Sequence, residues 1–354
     1  MTGGRAPWLA HLPGGPLWVL LAVMLCGSLP AHADTTCTAA ATPLAFGSVG
    51  NLAGTAATSS MNVQITCATS GLQVLANVRV RLCLGVGSGS AAAAIVPLRQ
   101  MVNTAGDALG FQLYADATLQ SVVGLQPGAV PAPRDVQLSY QSPILGGIGT
   151  TTATLHARIP ANQVPSAGSH ASTFSGADVT LTYAFNEATV LNTAVMPDTC
   201  NSPAAKGTKK AVAAFPFAAT ATVLPQCGSY LTTDMDFGSV PGRLAAAIEQ
   251  TAQLSLTCLR RTAYTVALDN GLYASNGVRR MRHATQPDAF IPYELYRDSA
   301  RSQSWGAVTG VDTLAGIGTG ATQQIVIYGR APPTTGAMPA AGPYSDRVTV
   351  VISY

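Results

Sequence analysis

Once the first 33 residues of this 354-residue chain are set aside, six cysteines are its most chemically able residues: Cys37, Cys67, Cys83, Cys200, Cys227 and Cys258. Thiols ligate metals, attack electrophiles or pair as disulfides, and spacing separates these roles. No two of the six stand two to four residues apart, and the five histidines (His11, His32, His156, His170, His283) are scattered, so the pattern of a zinc site is missing. Hydrolytic patterns are missing too. Gly85-Val-Gly-Ser-Gly89 breaks the spacing of a nucleophile elbow and reads as a turn, and Gly316-Ile-Gly-Thr-Gly320 has neither the lysine nor the helix that would hold a phosphate. Asp116 and Asp298, like Tyr114 and Tyr296, recur at matching places in the two halves of the chain. Such recurrence favours a turn or a strand-end hydrogen bond over paired-carboxylate catalysis. No catalytic residue, metal or cofactor is expected, which leaves disulfides as the thiol chemistry.

The elements that must position those cysteines occur twice. Leu44-Ala-Phe-Gly-Ser-Val49 returns as Met235-Asp-Phe-Gly-Ser-Val240. Met61-Asn-Val-Gln-Ile-Thr-Cys67 is matched by Gln253-Leu-Ser-Leu-Thr-Cys258, and Phe111-Gln-Leu-Tyr-Ala-Asp116 by Tyr293-Glu-Leu-Tyr-Arg-Asp298. Pro97-Leu-Arg-Gln-Met101 parallels Val278-Arg-Arg-Met281, and Asp178–Phe185 parallels Arg347–Tyr354. The period is far too long for a solenoid, so a whole domain is duplicated. Repeat equivalence pairs Cys37 with Cys67 and Cys227 with Cys258, leaving Cys83 for Cys200. Each repeat-matched bridge closes a loop of about thirty residues, worth roughly 3–4 kcal/mol in the chain-entropy account.

Oxidised cysteines require export. Arg5, the apolar run Pro16–Cys26 and Ala31-His-Ala33 fit a cleaved secretory signal over 1–33 that removes Cys26 and leaves Asp34 as N-terminus. Charged residues are 10% of the chain and the net charge is +3, with Lys206, Lys209 and Lys210 as an isolated group, so nucleic acid is not an expected partner. Those lysines read as part of a solvated linker.

Period-two alternation dominates, as in Met61-Val63-Ile65-Cys67, Leu254-Leu256-Cys258 and Val348-Val350-Ile352-Tyr354, with Gly, Pro and Asn clusters between. The fold class is all-β: two tandem β-sandwiches at 34–200 and 226–354, joined by a linker over 201–225. Within the linker Phe215, Phe217, Ala219, Ala221 and Val223 share one face of a possible strand at 213–223. That strand either completes the first domain, the favoured expectation, or opens the second.

The run Cys227…Phe237-Gly238…Leu256-Thr-Cys258…Arg280-Met281…Tyr293-Glu-Leu-Tyr-Arg-Asp298…Trp305-Gly306…Tyr328-Gly-Arg330…Val348-Thr-Val-Val-Ile-Ser-Tyr354 closely resembles the spore coat protein U domain, the subunit module of archaic Csu-type chaperone–usher pili. The first domain keeps Phe46-Gly47, Thr66-Cys67, Arg99, Met101, Tyr114 and Asp116 but has no clear equivalent of Trp305-Gly306 or Tyr328-Gly329-Arg330. The two-domain layout resembles the tip subunit of such pili. The resemblance implies immunoglobulin-like, pilin-like sandwiches, the second lacking its last strand, which is supplied first by a periplasmic chaperone, then, after passage through an outer-membrane usher, by a neighbouring pilin. Val348, Val350, Ile352 and Tyr354 are the expected edge of the acceptor groove. Nothing follows Tyr354 in cis, and only Asp34-Thr35-Thr36 precede Cys37, so the subunit is expected to accept a strand without donating one and to end the fibre at the cell surface. Adhesion to abiotic or host surfaces and biofilm formation are then expected, through apolar loops bearing Leu72, Val74 and Leu75 or Val122, Val123 and Leu125. The alternative is an exported coat or matrix protein, or a secreted binding protein, of the same fold; an enzyme is not expected.

Overall fold

The structure is a computed structural model that describes residues 34–50, 54–71, 76–92, 94–144, 146–189, 192–240 and 242–354, with Gly3. The expected signal at 1–33 lies outside them, Gly3 apart, and so do Leu72, Val74 and Leu75 of the expected adhesive loop.

Alternating residues make strands because successive side chains point to opposite faces, so one face can be buried while the other meets water. The first sandwich begins with β1 (Asp34–Ala41), β2 (Leu44–Val49), β3 (Ala57–Ser70), β4 (Ala76–Val86), β5 (Arg99–Val102) and β6 (Ala108–Tyr114). It continues with β7 (Arg134–Ser142), β8 (Gly147–Ile159), β9 (Gly168–Phe174), β10 (Val179–Thr189), β11 (Gly207–Val212) and β12 (Phe217–Val223). One sheet runs β1-β3-β8-β6-β5-β9-β12-β2 and the other β11-β10-β4-β7. Met61, Val63, Ile65 and Cys67 of β3 point inward, and the Phe111, Phe174 and Phe217 rings meet in the core, the last two stacked at 4.6 Å.

The second sandwich comprises β13 (Cys227–Thr232), β14 (Ile248–Cys258), β15 (Ala263–Leu268), β16 (Arg279–His283) and β17 (Phe290–Tyr296), then β18 (Leu314–Ile317), β19 (Thr322–Ala331), β20 (Tyr344–Ser345) and β21 (Val350–Ser353). Its sheets are β13-β14-β19-β17-β16-β20 and β18-β15-β21. Cys37 lies directly opposite Cys67, and Cys227 opposite Cys258, each pair bonded across its ladder. Cys83 of β4 is bonded to Cys200 in the segment that leads to β11.

The stretch 201–225 differs from the linker expected of it. β11 pairs antiparallel with β10, and β12 lies between β9 and β2. The lysines belong to this structure: Lys209 forms an ion pair with Asp34 and Lys210 donates to Gln126. β11 lies at a sheet edge with one face open to water, which permits a polar composition that in sequence is indistinguishable from a linker. Only Leu224-Pro225-Gln226 join the sandwiches.

The junction is built. Leu259 packs on the first core, the Ala167 amide donates to the Arg260 carbonyl at 2.9 Å, and Asp107 of the first sandwich accepts from Arg261 with Arg260 at 3.6 Å. The hydrogen bond from Arg261, then one from Ser166, hold the Asp107 carboxyl below its ordinary value, at about 2. A carboxylate depressed by folding contributes stability that is present above its unfolded value near 4 and is lost as the pH falls through its folded value. Domain docking, followed by hydrogen exchange at Ala167, is therefore expected to hold at pH 5 and to weaken between about pH 4 and pH 2. Asp107→Asn should remove that pH dependence; a variant that retains it would place the titrating group elsewhere.

Candidate functional site

Matched strand for strand, the two large sheets run in the same order until one edge. The register Arg99↔Phe111 in β5–β6 corresponds to Arg279↔Tyr293 in β16–β17, and Val102↔Ala171 in β5–β9 to Arg282↔Ser345 in β16–β20. β20 is thus the counterpart of β9. Beyond β9 the first sheet continues with β12 and β2, whereas among the described residues the second ends at β20. Met235–Val240, the repeat of β2, forms no ladder. The other sheet differs likewise: β10 carries β11 on its free edge, and β21 carries no described strand on its own.

Burial follows the difference. Val179, Leu181, Tyr183 and Phe185 of β10 are 0, 0, 2 and 5% exposed. Val350 and Ile352, which the ladder places where Val179 and Leu181 stand, are only half-buried against the second core, and Tyr354, in the place of Tyr183, is 55% exposed. Leu44 and Val49 are fully covered by β12, while Met235 is half-buried and Val240 is 41% exposed. Apolar side chains packed on the second core, Met235 and Phe237 in one segment and Val350 and Ile352 in another, are therefore left half-buried. One edge is held by His283, whose Nδ1 accepts the Thr285 and Gln286 amides at 3.1 Å, fixing the proton on Nε2, which donates to the Ala341 carbonyl at 3.0 Å.

Phe215, Phe217, Ala219, Ala221 and Val223, the residues expected to share one face, all lie in the first core. Their strand runs antiparallel to β9 from Phe217↔Phe174 to Val223↔Gly168 and parallel to β2 from Ala219↔Leu44 to Val223↔Val49. The first sandwich is thus filled by a strand of its own chain.

Each core is pinned by a buried arginine whose role the sequence did not disclose. Arg279 donates to the carbonyls of Asp269 (2.9 Å), Leu268 (3.3 Å) and Trp305 (2.8 Å) and forms an ion pair with Glu294 at 2.7 Å. Arg99 donates to the carbonyls of Gly87, Val86 and Val123 at 2.7 Å and to Gln112. Burial holds the Arg99 guanidinium well below its ordinary value, at about 9. The ladder makes Arg279 the counterpart of Arg99, each two residues before the methionine (Met101, Met281) on which the two segments parallel one another in sequence. Asp116 caps a turn through Thr118 and the Gln120 and Ser121 amides, and Asp298 does the same with Ser302 and Gln303. The Thr118 hydroxyl, then the Ser121 amide, hold the Asp116 carboxyl far below the usual carboxylate range.

Val122, Val123 and Leu125 do not form the exposed apolar face expected of them. Val122 bridges to Tyr114 and the Val123 amide donates to the Leu113 carbonyl at 3.0 Å, so the segment folds back on β6 and alternation turns Val123 into the core. Val122 and Leu125 are half-buried. A group of exposed apolar residues lies at the end of the first sandwich remote from the junction. There β3 ends at Ser70 opposite Asp34, and Ala76 is flanked by Ser142 and Thr189. At that end Ile144, Ile148 and Val195 are 55, 69 and 71% exposed.

Fold and site together define a tandem β-sandwich protein whose first domain is filled in cis and whose second leaves half-buried apolar residues beside sheet edges with no described strand upon them. The profile described as the Spore Coat Protein U domain matches residues 23–176 and 213–351, and the chain belongs to that family. The second match begins at residue 213, so by sequence β12 goes with the second copy while in space it completes the first. A comparison with curated proteins finds no match. Among solved structures, the chain is similar to the CsuC–CsuE chaperone–tip adhesion subunit pre-assembly complex from archaic chaperone–usher Csu pili of Acinetobacter baumannii (16% identity, TM-score 0.41, 90% of this chain and 100% of that one). It is similar to the CupB6 tip adhesin of Pseudomonas aeruginosa (9%, 0.30, 90% and 94%). It is also similar to CfaE, the adhesive subunit of the CFA/I fimbria of enterotoxigenic Escherichia coli (9%, 0.31, 88% and 92%).

Proposed function

We propose that this chain is an exported subunit that ends a chaperone–usher surface pilus, its second sandwich accepting a strand and its first mediating attachment and biofilm formation. The observation that carries this reading is the contrast between the copies: the positions filled by β11 and β12 in the first hold no described strand in the second, and the side chains those strands cover are open there. An exposed sheet edge beside apolar residues is an aggregation hazard until a strand is added, and strand addition supplies main-chain hydrogen bonds and alternate side-chain pockets together. The partners on this reading are a periplasmic chaperone, an outer-membrane usher and a neighbouring pilin that donates the final strand.

The test uses a synthetic peptide of residues 207–223, which carries both strands, β11 and β12, that complete the first sandwich. Trp305 is the one tryptophan of residues 34–354, so its fluorescence follows the second domain alone. At a hundredfold excess over Kd the peptide should stabilise that domain by about 2.7 kcal/mol, raising its thermal midpoint by roughly 5–15 °C. A midpoint indifferent to the peptide would mean a complete second sandwich and would return a secreted binding or coat protein to the front.

Attachment is assigned to the remote end of the first domain. Removing an apolar side chain from water is worth roughly 1.5–3 kcal/mol when burial is complete. Ile144→Asp, Ile148→Asp and Val195→Asp together should reduce adhesion to hydrophobic surfaces by roughly tenfold or more with fibre length unchanged. Undiminished adhesion by well-assembled fibres would discard these residues.

A further inference from the structure

On the outer face of the large sheet, the two copies share one patch of backbone and differ in the side chains it carries. Thr58↔Arg158 and Ser60↔His156 in β3–β8 correspond to Glu249↔Arg330 and Thr251↔Tyr328 in β14–β19, and Tyr114↔His156 corresponds to Tyr296↔Tyr328. The adjoining turns match as well. The Leu119 amide donates to the Asp116 carbonyl at 3.2 Å and the Arg301 amide to the Asp298 carbonyl at 3.0 Å. Tyr114 bridges to Val122 as Tyr296 does to Ser304, and Leu119 and Arg301 both take a left-handed φ, 58° and 54°.

In the second sandwich this patch carries an ion cluster. Glu249 lies between two guanidinium groups: its Oε1 accepts from Arg330 Nε at 3.0 Å and from Nη2 at 2.7 Å, and its Oε2 is 2.9 Å from Arg301 Nη1. Arg301 lies over the Tyr328 ring, 5.7 Å from its centre, and donates from Nε to the Gly329 carbonyl at 3.1 Å. In the first sandwich Thr58 takes the place of Glu249, Leu119 that of Arg301 and His156 that of Tyr328, while Arg158 keeps the place of Arg330. Arg158 thus retains its position and loses its carboxylate. Its Nε, the counterpart of the atom that meets Glu249, is buried with no hydrogen-bond partner among the described residues. Beside it, in place of the Arg301–Glu249 pair, is a depression of about 470 Å3 lined by Thr58, Ser60, Leu119 and His156.

We propose that this depression binds an acidic sugar residue of a glycan, whose carboxylate pairs with Arg158 as Glu249 pairs with Arg330. A buried donor left unpaired is costly, and a carboxylate is the group whose plane and spacing a guanidinium matches. The lining supplies the sugar specificity. The Thr58 and Ser60 hydroxyls and the His156 imidazole can exchange hydrogen bonds with ring hydroxyls, and Leu119 offers an apolar surface to the C–H face of the ring. The volume falls within the range of about 300–1,000 Å3 usual for small-molecule sites. The site lies on a sheet face and in neither strand slot, so it is independent of strand acceptance.

The full chain is titrated calorimetrically with the methyl glycosides of galacturonate, glucuronate and N-acetylneuraminate, with methyl galactoside as the uncharged comparison and glutarate as a carboxylate without a sugar. At least one acidic sugar should bind roughly tenfold or more tightly than methyl galactoside and glutarate. Arg158→Gln should remove the preference for the acid. Thr58→Glu places in the first sandwich the carboxylate that the second has at Glu249, so it should abolish acidic-sugar binding with the thermal midpoint kept or raised. Equal affinities for acidic and neutral sugars, absence of binding by all three acids, or acid binding indifferent to Thr58→Glu overturns the site. Glutarate binding as tightly as the best sugar overturns the assignment to a glycan. None of these outcomes bears on strand acceptance, which the Trp305 signal reads separately.

Discussion

Ala219→Asp is expected to unfold the first sandwich while leaving the second intact. Ala219 is fully buried in β12, between Leu44 of β2 and Ser172 of β9. An isolated carboxylate there has no cationic partner, and its burial costs several kcal/mol even after it takes up a proton. That is comparable to the whole stability of a domain of this size. Thr220→Asp, one residue on, points outward and should change stability by no more than about 0.5 kcal/mol. Thermal unfolding followed by circular dichroism should lose the first-domain transition in Ala219→Asp, while the Trp305 signal of the second domain persists. Equal behaviour of the two variants would mean that β12 is not integral to the first core. The same experiment asks whether the first domain, deprived of its strand, comes to need one from outside.

Arg279→Met is expected to cost the second domain roughly 3–5 kcal/mol, because it strips three buried carbonyls of their donor and leaves Glu294 without its cation. Glu294 is partly exposed, so water recovers some of its solvation and the lower half of that range is favoured. Adding Glu294→Gln to Arg279→Met should return about 1–2 kcal/mol by removing the stranded charge. The first domain supplies the comparison, since Arg99 faces the neutral Gln112 and Arg99→Met strands no carboxylate. Denaturant titrations of the two single variants and the double variant decide the matter. A double variant no more stable than Arg279→Met alone would show that the carbonyl contacts, and not the ion pair, hold the pin.

Much of this was legible in the sequence because it depends on period and repetition. Alternation along Met61–Cys67 and Gln253–Cys258 specifies strands with one buried face, and repetition of the cysteines at the same two landmarks specifies which pairs face each other. Cys37 and Cys67 prove to be directly opposite in a ladder, as do Cys227 and Cys258. Asp116 and Asp298 could be read as turn residues because a duplicated scaffold repeats its turns. What misled was composition. Gly207–Val212 is polar because one of its faces meets water, and Val122-Val123-Leu125 is apolar because Val123 faces the core. Neither composition says which side of the chain is covered.

The sequence alone therefore determined two related all-β domains, the partners of their cysteines and the face of the strand at 213–223 that would be buried, since each is a local periodicity or its repetition. Only the tertiary structure decided that this strand fills the first sandwich and not the second, and that Arg99 and Arg279 are core pins. Those facts depend on which strands become neighbours across long stretches of chain. Strand order is set by the joint packing of two sheets, a property of no single segment.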